Sequence, residues 1–250
     1  MSKTSYNIIE TNSTSSCDGT GKIDRYADGV TITSRRKQKA VLLAEIVEEL
    51  FPDRRDLRAV DFGCADGAVP VLMLNSKIGE RIEKIIGISL LDYNDLPEKK
   101  AHEHSRFKRL VTDMDEPIDQ LNLDPSSFDF VMATSFFHYL RQPEVAFRCA
   151  HQLLKPGGCL LAGMLPRWLL GLRQIGYWGV RPCNNRIQHL LTLDGWRDQA
   201  ESCGFEEMER RPVQWAGADA TAGVELFLRR RRMLRRIATN HLVIYRKTEE

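Results

Sequence analysis

Two hydrophobic periods divide this chain. In "SRRKQKAVLLAEIVEELF", Leu43, Ile46, Val47 and Leu50 recur at i, i+3, i+4 and i+7, which is one face of a helix. From residue 58 the pattern changes to short continuous apolar runs: "LRAVDFG", "EKIIGISLL", "FKRLVTD", "FDFVMATSFF" and "GCLLAGML". Runs of this length without alternation predict strands buried on both faces. Helical stretches separate them. "AVPVLMLNSKIG" tolerates Pro70 in its first turn, and "PEVAFRCAHQLL" opens on Pro143 and is expected to stop at "KPGG". A late helix, "TLDGWRDQAESCGF", has Thr192 as its expected N-cap and Gly204 past its end. "EMERRPVQW" and "HLVIYRK" complete the chain as strands. Strands that alternate with helices pair in parallel through right-handed crossovers, so the expectation is an open α/β sheet.

Three segments fall outside that alternation. Residues 1–33 are rich in Ser, Thr, Asn, Asp and Gly and read as a flexible lead-in to a single domain over 34–250. Insertions are expected at 166–190, with two tryptophans, and at 216–240, with "RRRRMLRR". The first helix is also unusual, because Arg35, Arg36, Lys37 and Lys39 crowd its N-terminal end, opposed to the helix dipole. Either those charges are solvated or they meet an anion.

Bulk properties narrow the classes. Of 250 residues 42% are hydrophobic and 28% charged, and the net charge of +2 does not announce a nucleic-acid binder. Six cysteines are scattered without a C-x-x-C pair, which argues against a zinc site or a disulfide framework and for a cytoplasmic protein. The first residues lack the apolar core of a signal peptide, and no apolar run approaches the roughly 20 residues that cross a bilayer.

In an open parallel sheet, ligands bind outside the carboxyl ends of the strands, so the first turn is the place to look for chemistry. There "AVDFGCADGAV" places Gly63, Ala65 and Gly67 at spacing two. Small residues let a ligand approach the backbone, and the helix that follows favours a negative group. The dinucleotide fingerprint G-x-G-x-x-G is broken, which disfavours a nicotinamide enzyme.

Taken together, this turn, Asp113 after the third strand, "FDFVMATSFFHYL" and "LLKPGGCLLAGML" resemble the class I S-adenosylmethionine-dependent methyltransferases over about residues 40–247. The resemblance implies a Rossmann-like doubly wound sheet, mostly parallel with an antiparallel last strand, and helical insertions forming a lid. It implies S-adenosylmethionine as cofactor. Asp61, Gly63, Ala65 and Gly67 would wrap its methionine part, with the small residues making room for it. Ser89 and Leu90 would lie at the ribose, Asp113 at the adenine amino group with Met114 beside the ring, and Thr134 and Ser135 at the sulfonium. The family usually ends the second strand on an acid that accepts both ribose hydroxyls; here Ser89 stands in that place and can make one such bond.

His138 titrates near neutrality and is the candidate general base, although a histidine beside Phe136, Phe137 and Tyr139 is as often a packed core residue. Cys64 reads as a small buried residue. Trp168, Tyr177 and Trp178 are the candidate wall of an acceptor pocket, and no metal is expected. The function expected is methyl transfer to a small apolar or aromatic metabolite, on an oxygen. An RNA methyltransferase and an inactive cofactor-binding protein are the alternatives. No nucleic-acid partner is expected, and the arginines of 224–237 are available to an anionic membrane surface.

Overall fold

The computed structural model describes residues 34–90, 102–115, 121–134, 136–165, 167, 188–214 and 240–248. The elements are α1 (Ser34–Leu50), β1 (Leu57–Phe62), α2 (Ala68–Leu74), β2 (Ile82–Ser89), β3 (Phe107–Val111), β4 (Phe128–Thr134), α3 (Pro143–Leu153), β5 (Leu154–Met164), α4 (Leu193–Glu201), β6 (Phe205–Gln214) and β7 (Asn240–Lys247). Among the described residues, 3₁₀ turns at Lys77–Arg81 and Phe137–Tyr139 lie between them.

The seven strands form one sheet in the order β3-β2-β1-β4-β5-β7-β6. Strands β1 to β5 pair in parallel, and β7 runs antiparallel to both β5 and β6. This is the Rossmann-like sheet with an inverted last strand. Its order reverses between β1 and β4, so the ends of those two strands border the crevice where such sheets bind ligands.

Apolar runs in the central strands are continuous because both faces are covered. Along β1, Ala59 packs in the cluster with Leu43, Ile46 and Val47 of α1 and Met73 of α2, while Val60 and Phe62 pack in the cluster with Phe147 of α3 and Trp196 of α4. Consecutive side chains point to opposite faces, so each face takes every second residue of one apolar run.

Helix α3 stops just ahead of "KPGG" as expected, but these four residues also belong to the next strand. Helix α3 passes into β5 at Leu154 without a loop, and the ladder jumps from Phe128↔Leu154 to Phe130↔Cys159. The four residues Lys155–Gly158 form a bulge, with Gly157 at φ 70°. Lys155 thereby reaches the buried Asp129 of β4 at 2.9 Å. Asp129 also pairs with Arg54 and accepts the Arg58 backbone N–H at 2.8 Å. A carboxylate this deep persists because cations and an N–H replace its lost hydration.

Among the described residues no helix is long and apolar enough to cross a membrane.

Candidate cofactor site

The first turn is built from three residues in the left-handed region: Gly63 at φ 73°, Ala65 at φ 50° and Gly67 at φ 81°. Glycine enters that region freely, whereas Ala65 does so at a cost of about 1–2 kcal/mol. The N–H groups of Gly63 and Cys64 both donate to the Ile88 carbonyl, at 2.9 and 3.0 Å, which ties the turn to the end of β2.

The space that the small residues leave is taken at two points by the protein's own rings. A Cβ on Gly63 would lie 2.6 Å from Cδ2 of Phe136, and one on Gly67 would lie 2.5 Å from Cε1 of Phe107. Backbone conformation and these two rings therefore account for glycine at 63 and 67 within the chain itself.

The basic end of α1 does meet an anion. Arg36 pairs with Asp66 at 2.5 Å, and the other Asp66 oxygen accepts the Ala68 N–H at the start of α2, at 3.2 Å. The Asp66 carbonyl accepts from Arg109 of β3 and from the His102 N–H, both at 2.8 Å. Asp66 thus joins α1, α2 and β3 beneath the turn. The sequence signal for it was a charged residue inside an otherwise small, apolar turn, and it was missed.

Asp61 ends the apolar core of β1 with 3% of its surface exposed. Burial pushes its carboxyl up to about 7 from an ordinary 3.8, and the charge of Lys39 on α1 pulls it partly back. Beside it, burial drives the Cys64 thiol far above its ordinary range, so Cys64 is a packing residue and not a nucleophile.

The neighbouring strand ends carry the other expected residues. Ser89 is buried at the end of β2, and Leu90, the next residue, is 62% exposed. Asp113 is half-buried just past β3, where its Oδ1 accepts the Asp115 N–H at 2.9 Å and its Oδ2 lies 3.7 Å from Arg141. Met114 turns into the core on the α3 face. Thr134 is half-buried at the end of β4, paired with Gly163 of β5. Asp61, the turn, Ser89, Asp113 and Thr134 therefore stand at the carboxyl ends of four adjacent parallel strands.

Residues 35–209 match the family model described as a methyltransferase domain. The chain belongs to the class I S-adenosylmethionine-dependent methyltransferases.

Its curated relatives include tenellin synthetase of Beauveria bassiana, 25% identical over 198 residues, or 75% of this chain and 5% of that protein. The methyltransferase spans 4 to 5% of the length of the curated relatives it matches. Among solved structures, a S-adenosylmethionine-dependent methyltransferase from Mesorhizobium loti superposes with a TM-score of 0.59 at 17% identity, covering 81% of this chain and 96% of that one. The 1,6-didemethyltoxoflavin-N1-methyltransferase of Burkholderia thailandensis, solved with 1,6-didemethyltoxoflavin and S-adenosylhomocysteine, gives 0.56 at 13% identity, covering 91% of this chain and 85% of that one. These likenesses show the fold.

S-adenosylmethionine is the cofactor, and the chemistry of the strand ends fits it. A buried carboxylate with a raised pKa, here Asp61, gains most from an incoming ammonium group. Leu90 offers exposed apolar surface at the β2 end, beside the strand end that carries the acceptor oxygens of Asp113.

Two groups of expected residues are placed less simply. His138, in the 3₁₀ turn after β4, is 1% exposed, with its ring 4.1 Å from that of Tyr139. Its carbonyl accepts the Gln188 N–H at 2.9 Å. Ser135, Trp168, Tyr177, Trp178 and the arginine-rich 224–237 lie outside the described residues, as does the lead-in 1–33.

Proposed function

We propose that this methyltransferase methylates an oxygen of a small apolar or aromatic metabolite, under a lid contributed by 166–190 and 216–240. The observation that carries the methyl-transfer reading is the buried Asp61 at the end of β1, together with Asp113 just past the end of β3. The composition of 166–190, with Trp168, Tyr177 and Trp178, supports an apolar acceptor.

When bound, S-adenosylmethionine supplies an electrophilic methyl on a sulfonium whose departure needs no protonation. The chain's own task is to hold and align. Asp61 would hold the amino group of the methionine part, the 63–67 turn would lie along it, Ser89 would accept or donate one hydrogen bond at the ribose, and Asp113 would accept from the adenine amino group. Thr134, which ends β4, and Ser135 would lie at the sulfonium. Holding the acceptor in line removes the entropic part of the barrier. His138 would take the proton of a hydroxyl acceptor; a carboxylate acceptor needs no base.

Titration calorimetry with S-adenosylhomocysteine tests the cofactor site. One site per chain is expected, weakened at least tenfold in Asp61→Ala, since a charge-assisted hydrogen bond is worth about 1.5–3 kcal/mol. Unchanged affinity in both Asp61→Ala and Asp113→Ala overturns the placement.

Two further curated relatives are highly reducing polyketide synthases of Pyricularia oryzae and Gibberella zeae, 29% and 28% identical to this chain, and a carbon methyltransferase is among the solved structures of the same fold. Together they favour a second reading, in which the acceptor is a carbon of a polyketide-type intermediate. Transfer of labelled methyl to hydroxylated aromatics, against β-ketoacyl thioesters, separates the two, with the site of the label read by NMR.

A further inference from the structure

The turn that carries Asp113 is fastened to the start of α3 by a side chain that no feature of the sequence drew attention to. Asp115, with its side chain 9% exposed, accepts three hydrogen bonds from two residues just before that helix. Its Oδ1 takes the backbone N–H groups of Arg141 and Gln142, at 2.8 and 2.9 Å, and its Oδ2 takes Arg141 Nε at 3.2 Å. Both N–H groups lie just ahead of Pro143, which opens the helix and has none of its own. A carboxylate at a helix start is stabilised there by both the bonds and the dipole.

Asp115 and Arg141 also hold Asp113, each at one of its two oxygens. The Asp115 N–H donates to Asp113 Oδ1 at 2.9 Å, and Arg141 Nη2 stands 3.7 Å from Asp113 Oδ2. The first contact is a hydrogen bond. The second is longer than one, so it attracts the carboxylate and leaves the lone pairs of Oδ2 open to another donor.

We propose that Asp115 and Arg141 are positioning residues for base recognition: they clamp the Asp113 carboxylate with an oxygen open to the exocyclic amino group of the cofactor's adenine. The inference rests on Asp113 lying at the adenine, as proposed above. A clamped carboxylate selects for a donor at position 6 of the purine and against an acceptor there. A loose one can turn away from the mismatch and discriminates less.

The test compares two ligands that differ at that position, S-adenosylhomocysteine with its amino group and S-inosylhomocysteine with its carbonyl, by titration calorimetry. Wild type is expected to prefer the adenosine form. Arg141→Ala and Asp115→Ala should narrow that preference by about tenfold, the factor one charge-assisted hydrogen bond represents. Arg141→Lys, which keeps the charge, should restore part of it. Arg141 has a side chain 62% exposed, so Arg141→Ala carries the test if Asp115→Ala does not fold. Variants that weaken both ligands equally, with the preference intact, overturn the clamp alone. A wild type without preference overturns the placement of Asp113, and the clamp with it.

Discussion

Asp61 combines a position at a strand end with nearly complete burial, and its ionisation follows from that. Desolvation raises its carboxyl to about 7, with Lys39 opposing, while in the unfolded chain it titrates near 3.8. Between those values the folded chain holds a proton that the unfolded chain has lost. Stability from this group is therefore present at low pH, falls as pH rises through that window and levels off above about 7. Urea denaturation between pH 5 and 8 should show Asp61→Asn losing that decline, so that the variant gains on wild type as pH rises. An identical slope in both proteins would remove Asp61 as the source. Its place at the end of an apolar run was legible in the sequence. Its raised pKa was not, because the packing around it comes from elements distant in sequence.

At the scale of elements, the β1–α2 turn shows how one local pattern serves two requirements. The spacing of Gly63, Ala65 and Gly67 identified the turn, and their positive φ values are its backbone reason. Phe136, from beyond β4, supplies the other reason at Gly63. Gly63→Ala should destabilise the protein by about 1–3 kcal/mol, from strain and overpacking together. In a Phe136→Ala background the steric share should disappear and the conformational share remain, which denaturation of the four proteins measures. Equal cost in both backgrounds excludes the ring as a cause. The α1 charges follow the same logic: the sequence left open whether they were solvated, and Asp66, thirty residues on from Arg36, decides it.

Over the whole molecule, the chain returning from 168–187 is anchored to the loop after β4. Gln188 donates to the His138 carbonyl, and His189 Nε2 lies 3.1 Å from the Arg141 carbonyl that accepts it. The same loop binds the Asp113 turn through Asp115. Residues 188–189 and the Asp113 turn thus share one support. If 166–190 forms the acceptor wall, replacing Trp168 and Trp178 by alanine should raise the acceptor KM while leaving S-adenosylhomocysteine affinity nearly unchanged. An effect confined to the cofactor would return both tryptophans to the core.

Apolar periodicity and Pro, Gly and Thr punctuation act over a few residues, and they made the strands, their helices and the parallel pairing of the first five legible in the sequence. Thr192 is an example: its Oγ1 caps α4 by accepting the Gly195 N–H at 3.0 Å, as its position predicted. Long-range packing made "KPGG" a bulge in β5, since Lys155 needs Asp129 of a neighbouring strand to hold it there. It likewise decided that Phe136 and Phe107 fill the space over Gly63 and Gly67, and that Asp115 fastens one strand end to the next helix. Those contacts join residues 26 to 73 positions apart, and no local pattern records which distant side chain will arrive.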